Sequence, residues 1–404
     1  MPERNYSTGT IWTRDCIEVM RGMNSETVDL IYLDPPFNSK QDYAAPIGSQ
    51  AAGAAFKDTW SLSDIDAEWI DLIERRNPAL QRVLLAAMTD SDKSYLAYMA
   101  ARLLEIPRLL TPTGSIYLHC DPTMSHYLKL VMDAIFGRQH FRNEIIWSYR
   151  RWTGKAKRFQ RLHDVILFYS LSDQHTFNVQ YDAYTPKSLA RKQNHHTRVK
   201  GDDVYITSID ERGVRAGDVW PIQLLNSQAA ERVGYPTQKP LALLERIIKA
   251  SSNPGDMVLD PFCGCATTCI AAENLGRQWI GIDLSPKAGE LVLQRLGAGD
   301  QAVRRSDVIL RDDIPPRTDM GDIPRHNSAA NRAALYGQQA GHCAGCGTHF
   351  ELRNLEVDHI IARARGGTDH IDNLQLLCGN CNRIKGDRGM AYLSGRLQLS
   401  AAAS

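Results

Sequence analysis

Short apolar runs alternate with stretches of helical periodicity over the first three quarters of the chain. Val28-Asp29-Leu30-Ile31-Tyr32-Leu33, Ile116-Tyr117-Leu118-His119, Val165-Ile166-Leu167-Phe168-Tyr169, Met257-Val258-Leu259 and Trp279-Ile280-Gly281-Ile282 each read as a buried strand. Between them, Tyr127 to Phe136 reads as a helix. Leu128, Val131, Met132 and Ile135 fall on one face, and Gly137 ends it. Leu241 to Ala250 and Ala266 to Leu275 read as further helices, and Ser285 caps another through Arg295. Strands alternating with helices predict a doubly wound, Rossmann-like α/β sheet, which binds ligands at the carboxyl ends of its strands. Two strand ends carry conspicuous turns: Asp34-Pro35-Pro36-Phe37, and Asp260-Pro261-Phe262-Cys263-Gly264.

The pattern weakens twice. Residues 172–232 are polar, rich in His and Tyr, and weakly periodic, as expected of an inserted recognition region between residues 1–171 and 233–300. From 301 to 330, Ile314-Pro315-Pro316, Ile323-Pro324 and scattered charges read as a linker, followed at 331–392 by a compact Cys- and His-rich module. The 404 residues are too many for one ordinary small domain, and 43% hydrophobic content suffices for a sizeable core. Net charge is only +1, so global charge is uninformative about nucleic acid. No stretch approaches the ~20 apolar residues of a membrane span, and the polar start lacks a signal-peptide core. Of nine cysteines, four form two Cys-x-x-Cys pairs, a spacing that suits metal better than disulfides and predicts a reducing, cytoplasmic setting.

Five motifs in order now define a resemblance: Asp34-Pro35-Pro36-Phe37; Leu118-His119-Cys120-Asp121; His163-Asp164-Val165-Ile166-Leu167-Phe168; Tyr235-Pro236-Thr237-Gln238-Lys239-Pro240; and Asp260-Pro261-Phe262-Cys263-Gly264. Residues from about Asp15 to Gln294 resemble the β class of DNA adenine-N6/cytosine-N4 methyltransferases. In that class the catalytic motif precedes the recognition region, and the S-adenosylmethionine motif comes last. An exocyclic amino nitrogen is a poor nucleophile because its lone pair is conjugated into the ring. Asp34 and the Pro35 carbonyl, in a backbone fixed by Pro36, can accept its two hydrogens and stabilise the charge that builds on nitrogen. Phe37 can stack on a base flipped out of the duplex. Taken alone, the motif could equally be a tight turn with a core phenylalanine.

The resemblance implies that Asp260, Phe262 and Gly264 shape the cofactor turn and that Asp283 binds the ribose hydroxyls. It places Thr237 and Lys239 near the methionine end, and Asp15 at the adenine. Asp283 could instead be a helix N-terminal acid, and Lys239 a solvated lysine. The chain departs from the family at Ala266 and Arg14, where glycine is usual. Asp at the first catalytic position favours adenine N6 over cytosine N4. The basic run from Arg138 to Arg161 has Trp147, Tyr149, Trp152 and Phe159 interleaved, and Lys187 to Lys200 is a second basic run. Both suit double-stranded DNA, although the first could also be a solvated loop with core aromatics.

Cys343, Cys346, Cys378 and Cys381 suit a closed tetrahedral Zn²⁺ site. Between and just beyond the knuckles stand Val357-Asp358-His359-Ile360, Gly366-Gly367-Thr368-Asp369, Asn373 and Asn382, which together resemble an HNH endonuclease. By that likeness His359 is the general base, Asn373 orients its loop, and Asp358 and Asn382 hold a divalent ion, Mg²⁺ by its oxygen ligands. Many members have His where this chain has Asn382. The competing reading is a zinc-stabilised module that grips DNA without cutting it. The expectation is therefore a methyltransferase with a fused nuclease, of restriction–modification or phage type. Its alternatives are a cytosine-N4 enzyme or an orphan, self-protecting methyltransferase. A homodimer is left open.

Overall fold

The computed structural model describes residues 3–39, 42–46, 49–52, 55–57, 77–151, 154, 157–193, 197–200, 203–206, 210–226, 228–296, 307–365 and 367–402. Trp152 and Gly366, named above, lie outside them, as do Lys155, His195 and His196 within the two basic runs. The strands of the main sheet are β1 (Thr10–Thr13), β2 (Val28–Leu33), β3 (Leu110–Cys120), β4 (Phe141–Ser148), β5 (His163–Ser170), β6 (Val219–Trp220), β7 (Met257–Asp260), β8 (Gln278–Asp283) and β9 (Ile309–Arg311). They lie in the order β6-β4-β5-β3-β2-β7-β8-β1-β9. Only β5 runs against its neighbours; every other pairing is parallel.

Strand β2 is the hinge of this order. It pairs with β3 on one side and β7 on the other, in register Leu30↔Val258 and Ile31↔Leu259. Its one polar residue, Asp29, stitches the three strands together. Thr111 Oγ1 of β3 donates to it at 3.1 Å, and the Met257 amide of β7 at 2.8 Å. The Pro112-Thr113-Gly114 stretch, which reads as a turn, is a bulge within β3: the register jumps from Val28↔Leu110 to Leu30↔Ser115.

Alternation along the strands loads both faces. Ile31 and Leu33 meet one layer, built on α1 (Cys16–Gly22), α2 (Asp90–Leu103) and α3 (Ser125–Phe136). Leu30 and Tyr32 meet the other, on α4 (Leu241–Ser251), α5 (Thr267–Asn274) and α6 (Lys287–Leu296). Each large apolar side chain so buried contributes roughly 1.5–3 kcal/mol.

The segment that composition marks as a linker does more than connect. Ile309–Arg311 adds the edge strand β9 beside β1. Thr318 and Asp319 then bind the loop after α1: the Thr318 amide donates to Asn24 Oδ1 at 2.8 Å, and the Ser25 amide to Asp319 Oδ2 at 2.7 Å. The C-terminal module follows with α7 (Ala329–Gln338), the hairpin β10 (Leu355–His359) and β11 (Leu374–Cys378), and then α8 (Gly379–Lys385) and α9 (Met390–Ala402). It has a core of its own around Leu355, Leu376, Leu377 and Leu393.

Gly22 ends α1 directly beneath the 314–316 segment. A Cβ there would lie 2.1 Å from the Pro315 carbonyl oxygen. Gly22→Ala is therefore expected to destabilise the fold by about 1–3 kcal/mol through overpacking, read as a lower urea midpoint. An unchanged midpoint would show that residues 314–316 do not press on α1.

Candidate active site

Parallel pairing of β2 with β7 puts the Asp34 and Asp260 turns side by side at one edge. They open onto a single cavity of about 460 Å³. Asp15, Asp34, Pro35, Pro36, Phe37, Thr237, Lys239, Asp260, Phe262, Gly264 and Asp283 all line it. The structure thus brings together residues drawn from across some 270 positions of sequence. The described lining residues include four carboxyl groups and two cations, Arg14 and Lys239.

The catalytic turn is held from below. Tyr32 Oη and His119 Nδ1 share a hydrogen bond of 2.8 Å, and His119 Nε2 lies 3.3 Å from Asp164 Oδ2. Tyr149 Oη donates to Asp164 at 3.1 Å. Burial pushes Asp164 up, but its hydrogen bond and charge interaction with His119, with help from Lys239 and Tyr149, hold it below the usual carboxylate range. His119 is wholly buried, 3.8 Å from Asp34, and its ring centroid lies 5.4 Å from that of Phe37. Its motif is visible in the sequence, but nothing in the pattern there shows that His119 and Asp164 form a pair beneath Asp34. The signal lies in strand alternation: His119 shares the inward face of β3 with Tyr117.

Lys239 Nζ is ion-paired with Asp34 and also donates to the Thr237 carbonyl at 3.3 Å. Its side chain is buried, so it is not a solvated lysine, and it lines the cavity. Asp15 is likewise committed: it caps α1 by accepting from the Ile17 amide at 3.0 Å, and Arg102 Nη2 contacts both its oxygens at 2.9 and 2.7 Å.

The cofactor turn is built by its own carboxylates. Asp260 accepts from the Phe262 amide at 3.0 Å and the Thr268 hydroxyl at 2.5 Å. Asp283 accepts from the Gly264 amide at 2.9 Å and the Ser285 amide at 2.8 Å. Both oxygens thus accept from backbone amides, as a helix-end acid does, and Asp283 also lines the cavity. Gly264 (φ 51°) and Ala266 (φ 57°) both adopt left-handed backbone. That explains the preference for glycine at 266. Alanine there costs about 1 kcal/mol, and the turn forms nonetheless.

The basic, aromatic-rich run divides. Trp147 and Tyr149 are buried, and Trp147 Nε1 donates to the Ile222 carbonyl at 2.7 Å, so neither is a free platform for an unstacked base. This corrects the expectation for those two rings, whose place on β4 and just beyond it turns them inward. Arg142 is spent on Ser170, Ser172 and Asp173. Arg150, Arg151, Arg158 and Phe159 remain exposed.

In the C-terminal module the four cysteines converge, with their sulfurs all within 4.8 Å of one another. The Cys378 amide donates to Cys343 Sγ at 3.2 Å, as suits a thiolate. Asn373 holds the loop after His359. Its Oδ1 accepts from the Ile361 amide at 2.9 Å, and its Nδ2 donates to the Ile361 and Thr368 carbonyls at 3.0 and 2.9 Å. The two residues expected to hold a divalent ion both have protein partners here. Asp358 accepts from Gln375 at 2.8 Å and pairs with the buried Lys385 at 3.1 Å, while Asn382 donates to Glu356 at 2.6 Å. Alternation along β10 turns Asp358 toward α8, where Lys385 waits.

Residues 28–294 match the DNA methylase family and residues 343–388 the HNH endonuclease family. The first match spans more than half of the chain, which belongs to the DNA methylase family. The type II methyltransferase M.HpaI of Haemophilus parainfluenzae is 26% identical over 287 residues, covering 70% of this chain and 72% of its own. The DNA adenine methyltransferase YhdJ of Escherichia coli K12 is 26% identical over 289 residues, covering 71% and 82%. Among solved structures, the M1.HpyAVI–SAM complex aligns at 18% identity and a TM-score of 0.40, over 71% of this chain and 98% of that one.

Burial pushes Asp260 up to about 7. Folding therefore favours its neutral form. That contribution is full below the unfolded pKa near 4 and is lost as pH rises through 7. Asp260→Asn, which cannot ionise, is expected to gain stability relative to the parent across that window, by an amount on the order of 1–3 kcal/mol. Urea unfolding at pH 4.5 and 7.5 reads the difference, and a pH-independent gap would refute the assignment.

Proposed function

We propose that this chain methylates an exocyclic amino nitrogen of double-stranded DNA, adenine N6, and that its HNH module cuts DNA. The single observation that carries the first part is the shared cavity: the Asp34 and Gly264 turns face one another across it. The donor set fits S-adenosylmethionine, because Asp283 lines the cavity and a carboxylate can accept from hydroxyls. When bound, that cofactor supplies an electrophilic methyl group.

The protein's own residues prepare the nucleophile. Asp34 and the Pro35 carbonyl accept the two amino hydrogens, which draws the nitrogen out of conjugation and offsets the charge it gains. Phe37, backed by His119, gives the flipped base a stacking face. Lys239 neutralises Asp34 until the amino group arrives, then returns to the Thr237 carbonyl beside it. Asp15, clamped by Arg102, bounds the far side of the cavity. YhdJ's designation as an adenine methyltransferase supports the choice of base, as does Asp at position 34.

The four-cysteine cluster fits Zn²⁺, which would staple a module too small to rest on its core alone. His359 serves as the base of the nuclease and Asn373 holds its loop. No step is assigned to Mg²⁺, because Asp358 and Asn382 point to protein partners. The whole is a bacterial or phage restriction–modification-type protein acting in the cytoplasm.

Nucleosides from DNA incubated with the chain and S-adenosylmethionine are expected to contain N6-methyladenine. Asp34→Ala should lower that yield by more than about 100-fold. N4-methylcytosine in its place would reverse the base assignment, and no methylated nucleoside would end the proposal. Elemental analysis is expected to find about one zinc per chain, falling close to zero in Cys378→Ser with a lower melting temperature. Metal-free protein of unchanged stability would exclude the staple.

A further inference from the structure

His359 is not alone at the end of β10. Its Nε2 lies 2.7 Å from Asp369 Oδ1. Arg363 grips the same carboxylate with two donors, Nε to Oδ1 at 2.9 Å and Nη2 to Oδ2. The His326 amide donates to Oδ2 at 3.3 Å, and the His326 ring lies over His359 with centroids 4.9 Å apart. Neither Asp369 nor Arg363 is among the residues through which the HNH likeness was drawn as catalytic, and His326 lies outside the matched residues 343–388.

A carboxylate has about four lone-pair directions. Here Arg363 takes two, His359 one and the His326 amide one, so Asp369 is saturated as an anion. Burial pushes its carboxyl up, but Arg363 and His359 outweigh that and hold it down to about 2. An acceptor-only partner dictates which ring nitrogen carries the proton. We propose that Asp369, clamped by Arg363, is the positioning residue of the nuclease: it fixes His359 as the Nε2–H tautomer and leaves Nδ1 bare to take a proton from water. The water oxygen then bonds to phosphorus as its proton passes to Nδ1. The bond from phosphorus to the leaving sugar oxygen breaks, and that oxygen takes a proton from solvent. The same three side chains, His326, His359 and Asp369, could instead be read as metal ligands, since their donor atoms lie within 4.8 Å of one another. The guanidinium on both oxygens of Asp369 opposes a cation there.

This inference rests on the nuclease reading, and the test separates the two. In ¹⁵N-labelled full-length chain, long-range ¹H–¹⁵N spectra report each neutral imidazole's tautomer, with His359 assigned by its loss in His359→Gln. The expected result is Nε2–H in the parent and a mixed or Nδ1–H form in Asp369→Asn. Plasmid nicking by Asp369→Asn should fall by about 10- to 1000-fold. Asp369→Glu should recover part of the rate. A parent His359 that is Nδ1–H overturns the proposal, as does an Asp369→Asn protein with unchanged tautomer and rate. Tight binding of Mn²⁺ alone that is lost in both Asp369→Asn and His326→Ala also overturns it, in favour of a metal site. A parent that never nicks DNA removes the nuclease reading, while the tautomer still decides the role of Asp369.

Discussion

The pairing of Val28–Leu33 with Met257–Asp260 is the constraint on which the rest of the methylase depends. Two parallel strands, separated by the whole recognition region, end at the same edge. Their turns then need only local rules to face one another. Pro35 and Pro36 stiffen one turn, and left-handed residues at 264 and 266 tighten the other. Asp29 protects that pairing, because a polar side chain with donors on both flanking strands disfavours any slip in register.

Placing several carboxylates around one cavity creates an electrostatic conflict that the fold resolves individually. Asp260 is buried, and desolvation favours its protonated form although the hydrogen bonds of its own turn pull the other way. Asp164 is buried too, but His119 and Tyr149 keep it on the anionic side. Asp15 and Asp34 each have a cation, Arg102 and Lys239. The acids of the site are therefore handled separately: some build turns, and others are paired with a cation.

Much of this was legible in the chain. The apolar runs at 28–33, 165–169, 257–259 and 279–282 are strands with bounds displaced by a residue or two, because period and turn residues are local properties. So were the lining residues of the cavity, since strand-end turns must share an edge in a parallel sheet. What could not be read was partnership at a distance. Lys239 reads as a residue for the cofactor, yet it meets an aspartate more than two hundred positions away. Trp147 and Tyr149 look like DNA platforms in a basic run, but strand alternation buries them. Asp358 carries the right motif for a metal ligand, and only the packing of α8 shows that Lys385 answers it. Ile309–Arg311 lacks the length of a typical strand, so its composition concealed an edge of the sheet.

That last strand separates the architectural border from the border between families. The methylase match stops at 294 and the nuclease match begins at 343, yet residues 309–319 belong physically to the methylase, through β9 and the clasp on Asn24 and Ser25. Only the few residues from 320 to 324 remain as tether, because Arg325 and His326 already bind Asn331 and Asp369 of the module. Across that short connection Arg21 of α1 donates to the Arg365 carbonyl at 3.2 Å, and Ile361 packs against the methylase core. Wherever the methylase sits, the module is therefore held beside it.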